Sequence, residues 1–368
     1  MNKIISTFLR VFIGVFLIIS GLLKVNDTIG FSYKLNEYFQ VLNIEFFSPI
    51  SLQLAFLICI FEVVLGALLI TATKFRFTFF CTSAMMIFFT FLTFYSAYFE
   101  KVTDCGCFGD ALKLRPWDSF YKDVVILIIL VIIYKGRDNF KSFFSKKGDY
   151  VYIFSVVLVS TIFAFYTYNN LPLKDYRPYA VGQNISYNMK TCFELNLPCT
   201  EESPIYLVRD IKTGEELEMV ADMWLSNTDR YEYLNFTDKT KILVKGYEPK
   251  ITDFSVQNKN IDITDSVLNL DDVLVFVSYD LNKINKKSIT NIKNIYMQSV
   301  DEQIIFLTAS NEDIIKNFND NNDLNIDFSY TDETVLKTVI RSNPGILRIQ
   351  EGTVIEKLHH NHFEKLIK

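Results

Sequence analysis

The sequence predicts a membrane α-helical bundle joined to an exported α/β domain. Its 368 residues are 50% hydrophobic with a mean hydropathy of +0.19, which is too apolar for an ordinary soluble protein and too polar for a chain wholly in lipid. Beyond about residue 170, short strands and amphipathic helices replace long apolar runs. Five runs, each close to the ~20 residues that cross a bilayer, occur near 4–25, 51–72, 77–98, 119–134 and 150–168.

Charge divides the chain at the same place. Residues 1–170 hold 15 Lys and Arg against 11 Asp and Glu, and the remaining residues hold 22 against 31. The second part is therefore acidic, and it has no basic stripe interleaved with aromatic residues. This argues against nucleic acid as a partner and favours the lipid bilayer and exported proteins.

The first apolar run has no small-residue cleavage site and is longer than a signal-peptide core, so it is predicted to stay as a membrane anchor. Basic residues cluster in alternate short loops, around Lys3, Lys74 and 135–147, which predicts a cytoplasmic N-terminus. Five spans then put the loop at 99–118 and the chain beyond about 170 in the periplasm. The segment 26–50 has apolar residues near helical spacing and is expected to lie along the membrane interface.

Four ionisable residues fall within or at the ends of these runs. Arg10 lies about two turns into the first and Glu62 near the middle of the second, where a charge is costly. One interpretation is that the two charges pair and fix the bundle; the other is that Glu62 accepts a proton or contacts a quinone-like carrier. Lys122 and Asp123 open the fourth run and could line the same cavity or face the headgroups.

Cys105 and Cys107 lie in the short polar loop DCGCFGD between two apolar runs. A pair one residue apart closes only a small, strained ring, and strained or exposed disulfides exchange readily. Thiol exchange is therefore one interpretation, and a structural brace or turn is the other. Zinc needs more than these two ligands, and no third is adjacent, so no metal site is predicted.

These residues together resemble the DoxX-like membrane proteins, most closely the branch that includes the methylamine utilisation protein MauE. The similarity covers about the first 135 residues. It implies a four-helix membrane bundle, similar in architecture to quinone-linked disulfide-forming proteins, and a role in maturing exported proteins that need disulfides. The similar pieces are Arg10, the SGLLK segment ending at Lys24, Asp27, Glu62, Gly66, and the DCGCFGD loop with the following LRPWDSFYKD.

The exported tail begins with a β-rich segment and continues as an alternation of strands and helices. From about 270, the order βαβα followed by Asn343-Pro344 and a β-hairpin resembles a thioredoxin fold, with Pro344 at the position of that family's cis-proline. A thioredoxin enzyme needs a CxxC after its first central strand. Here that place reads SYDLNKINK, so a scaffold without its redox centre is predicted.

The remaining cysteines and the histidines have less specific interpretations. Cys192 and Cys199 lie on the exported, oxidising side and are predicted to form a structural disulfide, with a second-stage exchange pair as the alternative. Cys59 and Cys81 lie within predicted spans and are predicted to be small buried hydrophobic residues. His359, His360 and His362 are the only histidines, and an exposed tail edge is expected for them.

The sequence leaves three candidate functions. The first function is a thiol-disulfide redox protein that uses Cys105, Cys107 and Glu62 and passes electrons to a lipid-soluble carrier such as a quinone. The second is a non-enzymatic assembly factor, and the third a transporter, which the absence of Gly/Pro-broken spans disfavours.

The predicted organisation has four parts. They are a four-helix domain at 1–137, a cytoplasmic loop and fifth span at 138–170, a β-rich lead-in at 171–265 and a thioredoxin-like domain at 266–368.

Overall fold

The computed structural model describes residues 3–99, 102, 106–298 and 303–366. The described N-terminal part is helical, as the apolar runs predict. A short 3-10 turn over Glu45–Ile50 leads into the third helix. The long helices are α1 (Lys3–Asn26), α2 (Thr28–Val41), α3 (Ser51–Thr71), α4 (Phe75–Phe99), α5 (Pro116–Lys135) and α6 (Lys146–Asn170).

Four of the described helices, α1, α3, α4 and α6, are long and apolar enough to cross a membrane. The fourth predicted run forms α5, which packs against α1 and α4 and, at 20 residues, is still long enough to cross a bilayer. It differs because Asp118, Lys122 and Asp123 all fall in its first half. These charges, rather than a shorter helix, set α5 apart from the other four.

Helices α1 and α3 approach each other closely because glycines line their contact. A Cβ atom on Gly66 would lie 2.6 Å from the Gly14 carbonyl oxygen, and one on Gly21 would lie 2.6 Å from a Val63 methyl group. Any larger residue would push the helices apart. This contact fixes which residues of α1 face which residues of α3.

Helix α2 turns the chain back against the bundle. Asp27 caps it by accepting a hydrogen bond from the Gly30 amide at 2.8 Å. Its apolar stripe, which includes Phe31, Leu35 and Tyr38, is buried as the helical spacing predicts. The helix therefore packs against α3 and covers its amino-terminal half.

The C-terminal part is an α/β domain around one seven-stranded sheet. The strand order is β10-β9-β6-β7-β8-β4-β5, in which β6, β7 and β8 are parallel and β9 is antiparallel to both β6 and β10. Every residue of β6 is buried, which marks it as the central strand. The strands are β4 (Gln257–Asn258), β5 (Ile261–Asp262), β6 (Val273–Ser278), β7 (Ile304–Thr308), β8 (Phe328–Tyr330), β9 (Gly345–Gln350) and β10 (Thr353–His359).

Helices cover both faces of this sheet. Short helices precede β6, and three amphipathic helices follow β6, β7 and β8 in turn. They are α7 (Ile185–Met189), α9 (Thr264–Leu268), α10 (Lys286–Gln298), α11 (Glu312–Asn322) and α12 (Glu333–Val339).

The β-rich lead-in is divided between two units. Tyr179, Ile185 and Phe254 lie in the same core as Val275 and Leu347 of the central strands. The expected boundary between residues 265 and 266 therefore cuts through one packed unit. Apolar residues from both sides of that boundary therefore share one core.

A three-stranded antiparallel sheet projects from this unit. Its order is β2-β1-β3, with β1 at Glu201–Asp210, β2 at Glu216–Val220 and β3 at Tyr231–Val244; the short helix α8 (Ala221–Leu225) follows β2. A Cys192–Cys199 disulfide lies at its base, where Tyr247 donates its amide to the Pro198 carbonyl oxygen at 2.7 Å. The disulfide thus joins this sheet to the segment that leaves the core.

A buried ionic network ties the segment after α6 to the domain. Arg177 binds both carboxylate oxygens of Asp175 at 2.8 and 2.9 Å, and Lys357 of β10 reaches the same carboxylate at 2.8 Å. Arg177 also donates to the Thr338 carbonyl oxygen at 2.9 Å. Burial alone would raise the pKa of Asp175, but the two cations outweigh it and lower that pKa to about 2.

This network predicts a pH dependence of stability. The folded-state pKa of Asp175 is below its ordinary value of 3.8, so its contribution is complete above that value and is lost as pH falls toward 2. Between pH 5 and pH 2, the gap in unfolding free energy between wild type and Asp175→Asn should narrow by about 2 kcal/mol. Denaturant unfolding in detergent at each pH measures the gap. Asp313→Asn, which removes an exposed carboxylate, is the control and should show no narrowing; equal behaviour of both variants would contradict the assignment.

Candidate functional site

The cysteine loop packs on the end of the bundle where α4 ends and α5 begins. Cys105 lies outside the described residues, whereas Cys107 is buried. The Cys107 carbonyl oxygen accepts a hydrogen bond from the Ser20 hydroxyl of α1 at 2.9 Å. The next residue, Phe108, meets the ring of Phe16 edge to face, with 5.7 Å between the ring centroids. The loop is therefore held over α1 rather than extended into solvent.

A chain of polar side chains runs beneath Cys107 into the bundle. Lys24 donates to the Ser20 hydroxyl at 3.1 Å and pairs with the Glu62 carboxylate at 2.5 Å. Lys24 and Glu62 are each 2% exposed, so both ions are removed from solvent. The Lys24 ammonium also lies in electrostatic range of Cys107. A cation beside a thiol stabilises the thiolate, which is the form that exchanges with disulfides.

The expected pairing of Arg10 with Glu62 is wrong. Arg10 instead donates to the Leu69 and Ile70 carbonyl oxygens at the end of α3, the latter at 2.7 Å. Along α1, Arg10 and Lys24 are about 21 Å apart at 1.5 Å per residue. The glycine contact sets α3 in a register where Glu62 meets Lys24, and Arg10 caps the far end of α3.

Lys122 and Asp123 of α5 belong to the same polar layer. Their side chains pair at 3.0 Å, and the buried Asp123 carboxylate accepts a hydrogen bond from Thr93 of α4 at 3.1 Å. The Lys122 ammonium lies 5.2 Å from the centroid of the Phe108 ring. The two ions therefore face the cysteine loop and the bundle, which favours the cavity-lining interpretation over the headgroup-facing one.

Arg341 of the C-terminal domain clamps the cysteine loop from the other side. Its Nε lies 2.9 Å from an Asp27 carboxylate oxygen, and its Nη2 lies 3.1 Å from Asp110, three residues after Cys107. Nη1 donates to the Lys337 carbonyl oxygen, and the guanidinium lies 5.3 Å from the Tyr33 ring centroid. One buried side chain thus joins α12, the start of α2 and the cysteine loop.

The electrostatics of this clamp favour its ionised form. Burial opposes the charge on Arg341, but Asp27 and Asp110 outweigh it and raise its pKa. Burial likewise opposes the charge on Asp27, and Arg341 with Arg177 outweighs it and lowers the pKa of that carboxyl. A Cβ atom on Gly30 would lie 2.6 Å from Arg341 Nη2, so glycine is needed for the close approach.

Two clefts open at this domain contact. One of about 450 Å³ lies beside the loop and is lined by Gly106, Gly109 and Asp110 together with Lys34 and Arg341. The other, of about 620 Å³, lies between α2 and the domain and is walled by Tyr33, Tyr168 and Tyr279. The first cleft thus opens directly beside the cysteine loop.

The junction after β6 also faces this contact. The Asn343–Pro344 peptide bond is cis. Asn343 accepts from the Ser278 hydroxyl at 2.9 Å and donates to the Asp280 carbonyl oxygen at 2.8 Å. Tyr279 and Asp280 follow β6, at the position where a thioredoxin enzyme has its CxxC motif. This junction therefore has hydrogen bonds and no thiol.

The histidines lie against the bundle instead of at an exposed edge. His359 is buried, His360 contacts the Ser342 hydroxyl at 3.0 Å, and His362 contacts Asn170 of α6 at 2.6 Å. Within the described ranges no cluster of three or more potential ligands could hold a metal ion. Cys59 is buried between α1 and α3, and Cys81 is half-buried on α4.

The comparison with protein families matches the first part of the chain. Residues 2–135 match the family described as Methylamine utilisation protein MauE. The N-terminal membrane part is MauE-like. The match ends at the last residue of α5, so α6 and the C-terminal domain lie beyond it. No curated protein and no solved structure matches the chain.

Sequence reasoning missed two features of the site. The sequence predicts Lys24 as a polar residue of the bundle but not as the partner of Glu62, and it gives Asp27 only through the resemblance and Arg341 not at all. A signal was present for Lys24, because a lysine at the end of an apolar run needs an anion when it is buried. Arg341 lies more than 300 residues from Asp27 in sequence, and no local pattern joins them.

The buried pair predicts a specific mutational pattern. Glu62→Leu leaves the Lys24 charge buried without its partner and should cost about 3–5 kcal/mol of unfolding free energy. Lys24→Met/Glu62→Leu removes both charges and should recover most of that loss. Denaturant titration in detergent measures the free energies, with Cys59→Ala, one turn away on α3, as the control. A double variant no more stable than Glu62→Leu would show that the charges are not a pair.

Proposed function

We propose that this chain is a membrane thiol-disulfide redox protein that acts on exported proteins through Cys105 and Cys107. The observation that carries the proposal is the position of Cys107, above a buried Lys24–Glu62 pair and beside a cleft open to the exported side. In the proposed orientation, the N-terminus is cytoplasmic and the C-terminal domain lies in the periplasm, anchored to a bacterial inner membrane. Helix α5 is proposed to cross the membrane with the other four.

The exchange conserves atoms and electrons. A client thiolate attacks one sulfur of a Cys105–Cys107 disulfide, and the other loop sulfur leaves as a thiolate. A second client thiolate then attacks the client sulfur of the mixed disulfide, closing the client disulfide and releasing the loop dithiol. Two electrons move from client to loop, and the loop thiols take up the two protons that the client lost. The reverse sequence reduces a client.

The chain's own residues assist this exchange in two ways. Lys24 stabilises the loop thiolate that forms or leaves, and Glu62 keeps Lys24 charged in the apolar bundle. Arg341 and Ser20 hold the two sides of the loop, so that Cys107 faces the cleft edge rather than the lipid. Glu62 therefore acts through Lys24 as a positioning residue in this proposal.

The lipid-soluble acceptor expected from the sequence, a quinone, stays a prediction, and no step of the exchange passes through one. The aromatic cavity at Phe75, Phe79 and Tyr134 lies where α4 begins and α5 ends. The cysteine loop connects the other ends of these helices, so that cavity is not beside Cys107.

We also infer that the C-terminal domain is thioredoxin-like and lacks a redox centre. The inference is supported by the strand order β10-β9-β6-β7 and by the helix α10 between parallel β6 and β7. The cysteine-free junction at Tyr279 and Asp280 favours the second candidate function, a membrane-anchored assembly factor that binds exported proteins without chemistry. The two candidates differ in whether the loop thiols form bonds with clients.

Trapping of mixed disulfides tests the proposal. Cys105→Ala and Cys107→Ala each leave one loop thiol. In the reverse sequence that thiol attacks a client disulfide, and the mixed disulfide should accumulate because the second loop thiol, which would resolve it, is missing. The complex is captured from native membranes after acid quenching and identified by mass spectrometry. Cys105→Ala/Cys107→Ala is the matched control and should capture nothing. Empty captures from both single variants, at normal expression, would overturn exchange and favour the assembly factor.

A further inference from the structure

A second cavity lies at the opposite end of the bundle from the cysteine loop. It has a volume of about 510 Å³ and opens between the start of α4 and the end of α5. The rings of Phe75, Phe79, Phe80 and Tyr134 form its walls, and Arg76 and Arg137 lie at its polar side. None of the described residues that line it is acidic. The cavity is thus apolar on one side and cationic on the other.

Both arginines have guanidinium N–H groups available for a ligand. Over the described ranges, no carboxylate pairs with Arg76. Arg137 reaches the Asp138 carboxylate only at 3.9 Å, and Asp138 is 79% exposed. The Arg137 guanidinium carbon lies 4.3 Å from the centroid of the Tyr134 ring. A guanidinium group suits a phosphate because it can donate two parallel hydrogen bonds to the phosphate oxygens.

The position of the cavity selects the kind of phosphate. Helix α4 is one of the four helices apolar enough to cross a membrane, and Phe77 and Phe80 of its first turns are 67% and 70% exposed. Lipid chains therefore reach the cavity from the side. The same end of the bundle carries the lysines of the 135–147 segment, and the amino end of α4 adds a favourable potential for an anion.

The geometry points to a binding site for an anionic phospholipid, with its phosphate at Arg76 and Arg137 and an acyl chain along the aromatic walls. A soluble phosphate ion would share the arginine contacts but would leave the aromatic walls exposed. A zwitterionic lipid would fill the walls and bring its own cation next to the arginines. An anionic headgroup is the ligand that satisfies both sides of the cavity.

Lipid retention by the purified full-length protein tests the site. The protein is exchanged into mixed phosphatidylglycerol and phosphatidylcholine vesicles, extracted, and weighed by native mass spectrometry. Wild type should retain phosphatidylglycerol in preference to phosphatidylcholine. Arg76→Gln and Arg137→Gln should each lower that preference about fivefold, as expected for one basic contact near a membrane surface. Lys141→Gln removes a charge from the same end but does not line the cavity, and it should leave the preference unchanged.

Three results would overturn the site. The first is equal retention of the two lipids by wild type. This result does not depend on whether any variant folds. The second is an Arg76→Gln/Arg137→Gln protein with the wild-type preference and a wild-type melting temperature in phosphatidylcholine. The third is displacement of phosphatidylglycerol by millimolar inorganic phosphate, which would assign the arginines to a soluble anion.

Discussion

The contact of Arg341 with Asp27 and Asp110 determines how the two halves of this protein meet. The guanidinium lies 2.9 Å from one carboxylate and 3.1 Å from the other, and it is 7% exposed. An arginine removed from water is stable only when anions satisfy it, so undocking the domain would leave three charges without partners. The clamp therefore fixes the domain on the bundle and the cysteine loop on both.

Below the loop, a second charge pair has the same role inside the bundle. The close glycine contact between α1 and α3 sets the register in which Lys24 meets Glu62, and Ser20 carries the contact up to the Cys107 backbone. Packing sets the register of the two helices, and that register joins a buried cation through Ser20 to the backbone of Cys107. That arrangement connects the fold of the MauE-like part with the proposed chemistry.

The sequence predicts local features well and long-range contacts poorly. The apolar runs locate the long helices, and the spacing of Phe31, Leu35 and Tyr38 gives the buried face of α2, because both depend on neighbouring residues. The partner of Glu62 depends on the rotation of two helices about their axes, and sequence periodicity does not fix that rotation. Arg341 was missed for the same reason, since its partners come from distant elements. The core shared across residue 265 is long-range in the same way, because residues near 179–185 pack against strands formed much later in the chain.

The rate at which Cys107 is alkylated tests most directly whether the C-terminal domain holds the cysteine loop. After mild reduction, the full-length protein in native membranes is pulsed with a mass-tagged maleimide, and modification is mapped to Cys107. Arg341→Ala and Asp110→Asn should both speed modification several-fold, because each releases the loop while Asp110→Asn keeps the Asp27 contact. Arg348→Ala, which removes an arginine paired with Asp272 elsewhere in the domain, should match wild type. Wild-type rates in both Arg341→Ala and Asp110→Asn would contradict the clamp.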